Sequence, residues 1–279
     1  MIKCICSYFN YYNDDRRKQN YIKFRKHFAH DLVTVELAKD KSEFFIDDAI
    51  QIVAKPENLL WQKERCFNIA LESLPDTTDK IVWVDTDIIF HNENWLRSLD
   101  KILDNYSVAQ PFQRVVELDN DYNHNLNCFG YANLIFDYLH NEQPIPISTA
   151  PGLSWGCRRS ALPNGFYDKH IMGSNDALQI YSWIGDIFNV KIFQMPNSLI
   201  LDFLDYYKQV DCDSSQIAYC KGVVEHLYHG CFTKRGYNSR GKIISENFDV
   251  KDLEIDSNGL YKLNNKEKMD EIRTHFYSL

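Results

Sequence analysis

Along the first 110 positions apolar residues recur in two rhythms, short runs with the period of a strand and longer stretches with the period of a helix. Ile2 to Cys6, Leu32 to Leu37, Ile50 to Ala54 and Ile81 to Val84 read as strands, whereas Gln19 to Phe28 and Pro56 to Leu74 read as helices. In the second helix Pro56 suits the first turn, Leu60, Phe67, Ala70, Leu71 and Leu74 recur at helical spacing, and Pro75 is the stop. Strands and helices in this order predict an α/β fold with a mostly parallel central sheet flanked by helices.

From about Asp119 the texture changes to Asn, Tyr, Gly and Pro, with turn signals such as Pro163-Asn164-Gly165 and Asn175-Asp176. This half reads as loops on a scaffold, where recognition usually resides. Val223 to Tyr228 reads as a late strand, and Met269, Ile272 and Phe276 mark a short amphipathic C-terminal helix.

Composition narrows the classes. At 279 residues with 44% hydrophobic and 14% aromatic side chains, the chain is globular in type. Its net charge of −8 argues against a nucleic-acid surface, which needs a basic face to neutralise phosphates. Neither the start nor any later run has the apolar length of a signal-peptide core or a membrane span, so a soluble, cytoplasmic protein is expected. The eight cysteines contain no Cys-x-x-Cys pair and read as reduced thiols, with Cys4 and Cys6 on one face of the first strand.

Three Asp-x-Asp triplets occur: Asp85/Asp87, Asp119/Asp121 and Asp211/Asp213. Only the first lies inside an apolar run, between Ile81-Val82-Trp83-Val84 and Ile88-Ile89-Phe90. On an extended chain carboxylates at i and i+2 point to one side and can share a hard divalent cation. They also fall where a buried strand leaves its sheet, the usual ligand crevice of open α/β folds. The alternative is a turn or helix cap.

Trp61-Gln-Lys-Glu-Arg65, Asn68 and Ile-Val-Trp-Val-Asp-Thr-Asp-Ile-Ile-Phe resemble the nucleotide-sugar half of glycosyltransferases with the GT-A fold. Pro151-Gly-Leu-Ser-Trp155-Gly156, then Gly165-Phe166 and Gly173-Ser-Asn175-Asp176, are similar to the segment that holds sugar, acceptor and base in inverting members of the galactosyltransferase and N-acetylgalactosaminyltransferase type. Val224-Glu-His226-Leu-Tyr-His229-Gly230 resembles the strand that returns a metal-binding histidine. The resemblance covers Pro56 to Arg240 and implies one GT-A, Rossmann-like domain over residues 1–248. A nucleotide-sugar half would span 1–118, an acceptor half 119–248, and a C-terminal extension with its helix 249–279.

The roles it implies are specific. Asp87 is expected to bind Mn2+ or Mg2+ most directly, with Asp85 shared between metal and ribose. A third ligand comes from His226 or His229, which on a regular strand face opposite ways, so that one reaches the ion unless the strand breaks at Gly230. Asp176 stands where the general base would be, and equally at the start of a plausible helix. Asn175 departs from the pattern, since many inverting members carry a second acid there, and it is placed with Trp155 at the acceptor. Trp155 could also face the donor sugar, or be core. Ser7, Tyr8 and Glu36 occupy positions that hold uracil and ribose in similar proteins, and Arg65, Asn68, Lys234 and Arg240 complete the expected donor contacts.

The function implied is transfer of a hexose from a nucleotide sugar, a UDP-sugar first, to a hydroxyl of a glycan or other acceptor, with inversion. A retaining transferase of the same fold and a sugar-binding module without turnover are the competing readings. A sugar nucleotidyltransferase is disfavoured, because no Gly-rich phosphate loop with a Lys follows the first strand.

Overall fold

The computed structural model describes residues 1–11, 14–141, 149–185, 194–230 and 240–277. The chain order is β1 (Ile2–Phe9), α1 (Asp15–His27), β2 (Leu32–Ala38), β3 (Ile50–Val53), α2 (Lys63–Ser73), β4 (Lys80–Val84), β5 (Ile88–Phe90) and α3 (Trp95–Ile102). There follow β6 (Val108–Gln110), β7 (Arg114–Leu118), β8 (His124–Gly130), α4 (Tyr131–Asn141), β9 (Thr149–Ala150), β10 (Ser154–Arg158), α5 (Asn175–Ile184) and α6 (Asn197–Tyr207). The last elements are β11 (Ile217–Tyr219), β12 (Val223–His226), α7 (Lys242–Ser245), β13 (Leu253–Ile255), β14 (Tyr261–Leu263) and α8 (Lys266–Tyr277).

Seven strands form the main sheet in the order β11-β6-β10-β4-β1-β2-β3. Only β10 runs antiparallel to its neighbours, so the expected mostly parallel sheet is present. Alternation along the central strands divides the core between two faces. Ile5, Val35, Ile81 and Trp83 join α2, α5 and α6 in one apolar cluster, whereas Cys4, Cys6, Val82 and Val84 join α1 and α3 in another. Helices therefore cover both faces. The first cluster also includes Leu260, Met269 and Ile272, which places β14 and α8 against the same core as the N-terminal strands.

Strand order reverses beside β1. From β1 the chain steps outward to β2 and β3, then returns to build β4 on the other side. In open α/β sheets this switch point opens a crevice at the carboxyl ends of the strands, and β4 ends there at Val84.

A second, five-stranded sheet in the order β5-β12-β7-β8-β9 lies beyond that edge. Its β5 begins directly after Asp87 and pairs antiparallel with β12, with Ile88 opposite His226. One sheet thus hands its chain to the other through Asp85-Thr86-Asp87.

The helix expected over Pro56 to Leu74 is shorter. Pro56–Asn58 forms a single 3-10 turn and α2 begins only at Lys63. Asn58 and Gln62 explain the break, because their side chains donate to the Tyr261 carbonyl at 3.0 and 2.7 Å. Hydrogen bonds to the C-terminal hairpin outweigh continuation of the helix. The late strand likewise ends at His226 rather than Tyr228. Among the described residues the cysteines form no disulfide, and no helix is long and apolar enough to cross a membrane.

Candidate active site

Beyond Val84 the chain turns, so strand alternation stops and the two carboxylates take different partners. Asp85 Oδ1 lies 2.5 Å from the Nζ of Lys63, the first residue of α2. The segment is therefore not extended as expected, and Asp85 turns to a cation of α2. Burial opposes charge on Lys63, but Asp85, Asp176 and Glu64 around it outweigh that and hold the ammonium protonated well above its ordinary range.

Asp87 faces the second sheet. Its Oδ1 is 3.6 Å from His226 Nε2 and its Oδ2 is 3.5 Å from His229 Nε2. One ligand atom from each of the three residues lies within 4.8 Å of the others. Sheet register explains the convergence, since the Leu227 amide donates to the Asp87 carbonyl at 2.8 Å as β12 pairs with β5. Both histidines reach one carboxylate because β12 ends at His226 and the following residues are free of strand alternation. Gly230 follows at φ 111, in the left-handed region that favours glycine.

Burial works against charge on Asp87, yet the two imidazoles outweigh it and hold the carboxyl below the ordinary carboxylate range. On the far side of His226, Nδ1 lies 2.8 Å from Glu117 Oε2. The two residues are register partners on the parallel pair β12 and β7. Burial opposes charge on His226, but Asp87 and Glu117 outweigh it and push the imidazole up to about 10; on binding an ion the ring would give up its Nε2 proton and keep Nδ1–H on Glu117. One carboxylate and two imidazoles suit a divalent transition ion such as Mn2+ better than Mg2+, which prefers oxygen ligands.

Asp176 is the second residue of α5, and its Oδ1 accepts from the Ala177 amide at 2.8 Å. It is one of the charges acting on Lys63. A Cβ at position 152 would stand 2.7 Å from Asp176 Oδ2, so a side chain there would force the carboxylate to shift. The carbonyl of the next residue, Leu153, accepts from the Asp85 amide at 2.7 Å. The loop before β10 therefore joins Asp176 to the end of β4.

Ser7, Tyr8 and Glu36 lie together near the ends of β1 and β2, where Tyr8 and Glu36 are register partners. Glu36 turns inward and accepts from the amides of Phe45 and Ile46 at 3.1 and 3.2 Å. Arg240 is buried. Its guanidinium sits 5.2 Å from the Trp61 ring centroid and its Nη2 donates to Ser174 Oγ at 3.3 Å. Lys234 lies outside the described residues.

Other expected contacts are turned elsewhere. Trp155 is wholly buried, packs against Trp183 at 5.7 Å between centroids, and donates its indole N–H to the Pro151 carbonyl at 2.7 Å. A ring so enclosed offers no face to a sugar. Arg65 Nε donates to the Gly259 carbonyl at 2.7 Å, and Asn68 brackets Phe166 by accepting from its amide and donating to its carbonyl. Both line a cavity of about 490 Å³ against Asp168, Lys169, Asp202 and Tyr261, to which none of Asp85, Asp87, Asp176, His226 or His229 contributes. Asn175 is buried, with its Oδ1 accepting from the His170 amide at 3.0 Å.

Two residues at the site were given no role from sequence, Glu64 and Glu117, whereas Lys63 was expected, with Arg65 and Asn68, on the helix face where a phosphate or sugar meets the sheet edge. Glu117 breaks the apolar run Val115-Val116-Glu117-Leu118, a legible sign that this strand carries a half-buried acid. Glu64 was hidden because helical spacing does not show that its partners are the Trp61 indole and Asn175, 111 residues downstream.

No protein family matches the chain, and no curated protein matches it. Among solved structures it is similar to glucosyl-3-phosphoglycerate synthase from Mycobacterium tuberculosis, in complex with Mn2+, UDP and phosphoglyceric acid. That likeness is 12% identity over 88% of this chain and 75% of that one, at a TM-score of 0.36. A putative glucose-1-phosphate thymidylyltransferase from Bacillus anthracis is 8% identical over 89% and 97%, also at 0.36. A putative nucleotide-diphospho-sugar transferase from Desulfovibrio desulfuricans is 11% identical over 99% and 96%, at 0.33. Likenesses this loose decide nothing about the reaction, which has to be argued from the site.

Proposed function

We propose that this chain is a metal-dependent glycosyltransferase of the GT-A kind, moving a hexose from a nucleotide sugar, UDP-sugars first, to an acceptor hydroxyl with inversion. The observation that carries the reading is the Asp87, His226 and His229 triangle at the switch point of an open α/β sheet. Those three residues would hold Mn2+, which supplies Lewis-acid stabilisation for a leaving diphosphate. Lys63 fixes Asp85 beside the triangle, where that carboxylate is available to the ribose rather than the ion. Ser7, Tyr8 and Glu36 shape the nucleoside end, and Arg240 supplies a cation near the start of α5. Asp176, held against Gly152, takes the proton of the attacking hydroxyl.

Incubation with a panel of nucleotide sugars, with and without Mn2+, tests the proposal through release of nucleoside diphosphate. Mn2+-dependent release, with inverted anomeric configuration in the product by NMR, is the expected result. Retention would make Asp176 a positioning group instead. Tight binding without release across donors and acceptors would identify a sugar-binding module.

A further inference from the structure

Glu64 is a buried acid, 3% exposed, in the first turn of α2, and it has no part in the proposed ion site or proton transfer. Its Oε2 accepts two hydrogen bonds, one from Trp61 Nε1 and one from Asn175 Nδ2, each 3.0 Å long. Asn175 is the first residue of α5 and is covalently next to Asp176.

The start of α5 needs such a hold. The chain enters the helix through Gly173 at φ 93 and Ser174 at φ 73, two consecutive left-handed residues. The second carries a side chain, whose Cβ crowds the backbone in that region. Ser174 makes no side-chain cap to the helix. Asn175 compensates, accepting from the His170 amide and donating to the His170 carbonyl and to Glu64. A closed circuit results: Glu64 to Trp61, Trp61 to Arg240 across the ring face, Arg240 to Ser174, and Asn175 back to Glu64.

We propose that Glu64 is a positioning residue for the Asp176 carboxylate, acting through Asn175 and through the Trp61–Arg240–Ser174 arm of this circuit. The proposal rests on the reading of Asp176 as the base. It extends that reading by tying the base to α2, the helix that also presents Lys63 to Asp85. Displacing a reacting group by 1 Å costs on the order of 10²-fold in rate. The circuit is also sensitive to pH. Burial pushes the Glu64 carboxyl up to about 7, with Lys63 drawing it down and Asp176 pushing it further up, while Arg240 stands across the Trp61 ring.

Substitutions at Glu64, with W61F and D176N as controls, and two readouts decide the matter. In two-dimensional nitrogen–proton NMR, the Trp61 indole signal, identified by its loss in W61F, and the Asn175 side-chain amide should shift together with a midpoint close to pH 7. In E64Q both should stay flat. Independent titration of the two signals, or persistence of the titration in E64Q, would overturn the circuit. With Mn2+ and a turned-over donor, E64A should lower kcat about 10²-fold with donor KM within twofold, and E64Q should recover most of the loss because its amide oxygen accepts the same two bonds. Unchanged kcat in E64A, with D176N inactive, would overturn the positioning role alone. Full transfer by D176N would instead remove the base, and this proposal with it. Should E64A fail to fold, the E64Q titration carries the decision.

Discussion

Glu117 and His226 face each other in register on β7 and β12, with Glu117 Oε2 2.8 Å from His226 Nδ1. A carboxylate behind a ligand histidine fixes the tautomer and the ring orientation, and removing one typically costs 10 to 100-fold in metal affinity. E117Q is expected to weaken Mn2+ binding by about that factor in calorimetry while leaving the fold intact by circular dichroism. Unaltered affinity would show that His226 does not depend on Glu117.

Lys63 and Asp85 form a pair whose side chains are 12% and 21% exposed. Removing one member of a buried pair leaves the other charge unpaired, at a cost of about 3 to 5 kcal/mol. K63M should lower stability in urea by roughly that amount, at the lower end given the residual exposure, and K63M/D85N should recover part of it. A K63M protein as stable as the parent would mean that the pair is not formed in solution.

D176N tests the base directly. UDP-sugar affinity with Mn2+ should be nearly unchanged, because Asp176 lies outside the Asp87 triangle. Transfer should fall by about 10² to 10⁴, the usual worth of a positioned base. Unchanged transfer would remove Asp176 from the mechanism.

Glu64 makes stability depend on pH in a definite direction. Its carboxyl is raised from an ordinary 4.5 to about 7, so the folded state binds the proton more tightly than the unfolded chain does. That contribution is complete below about pH 4.5 and is lost as pH rises towards 7, an effect on the order of 3 kcal/mol. The melting temperature of E64Q relative to the parent should therefore climb between those limits and level off above about pH 8. A constant difference would show that Glu64 titrates normally.

The sheet was legible because its signal is local. Ile81 to Val84 is an unbroken apolar run and Leu32 to Leu37 alternates apolar residues with Thr34 and Glu36, and they sit in β4 and β2. The placement of Asp85 and Asp87 at the end of β4 was legible for the same reason. Their divergence was not, since it depends on a turn whose geometry is fixed by β5 pairing with β12, some 140 residues downstream. Trp155 shows the same limit. Flanking glycines are compatible with a ligand face or with tight packing, and only the partners Trp83 and Trp183 make it a core residue. Arg65 is held by the Gly259 carbonyl in the turn between β13 and β14 and Asn68 by the 165–168 segment, contacts that helical spacing does not encode.

The central claim is a single ion held by Asp87, His226 and His229, and anomalous X-ray diffraction from crystals grown with Mn2+ and UDP tests it most directly. The account predicts a manganese peak within coordination distance of one Asp87 oxygen and the Nε2 atoms of both histidines, with Asp85 still bound to Lys63. A peak bridging Asp85 and Asp87 with both imidazoles turned away, or manganese found only elsewhere on the protein, would contradict it.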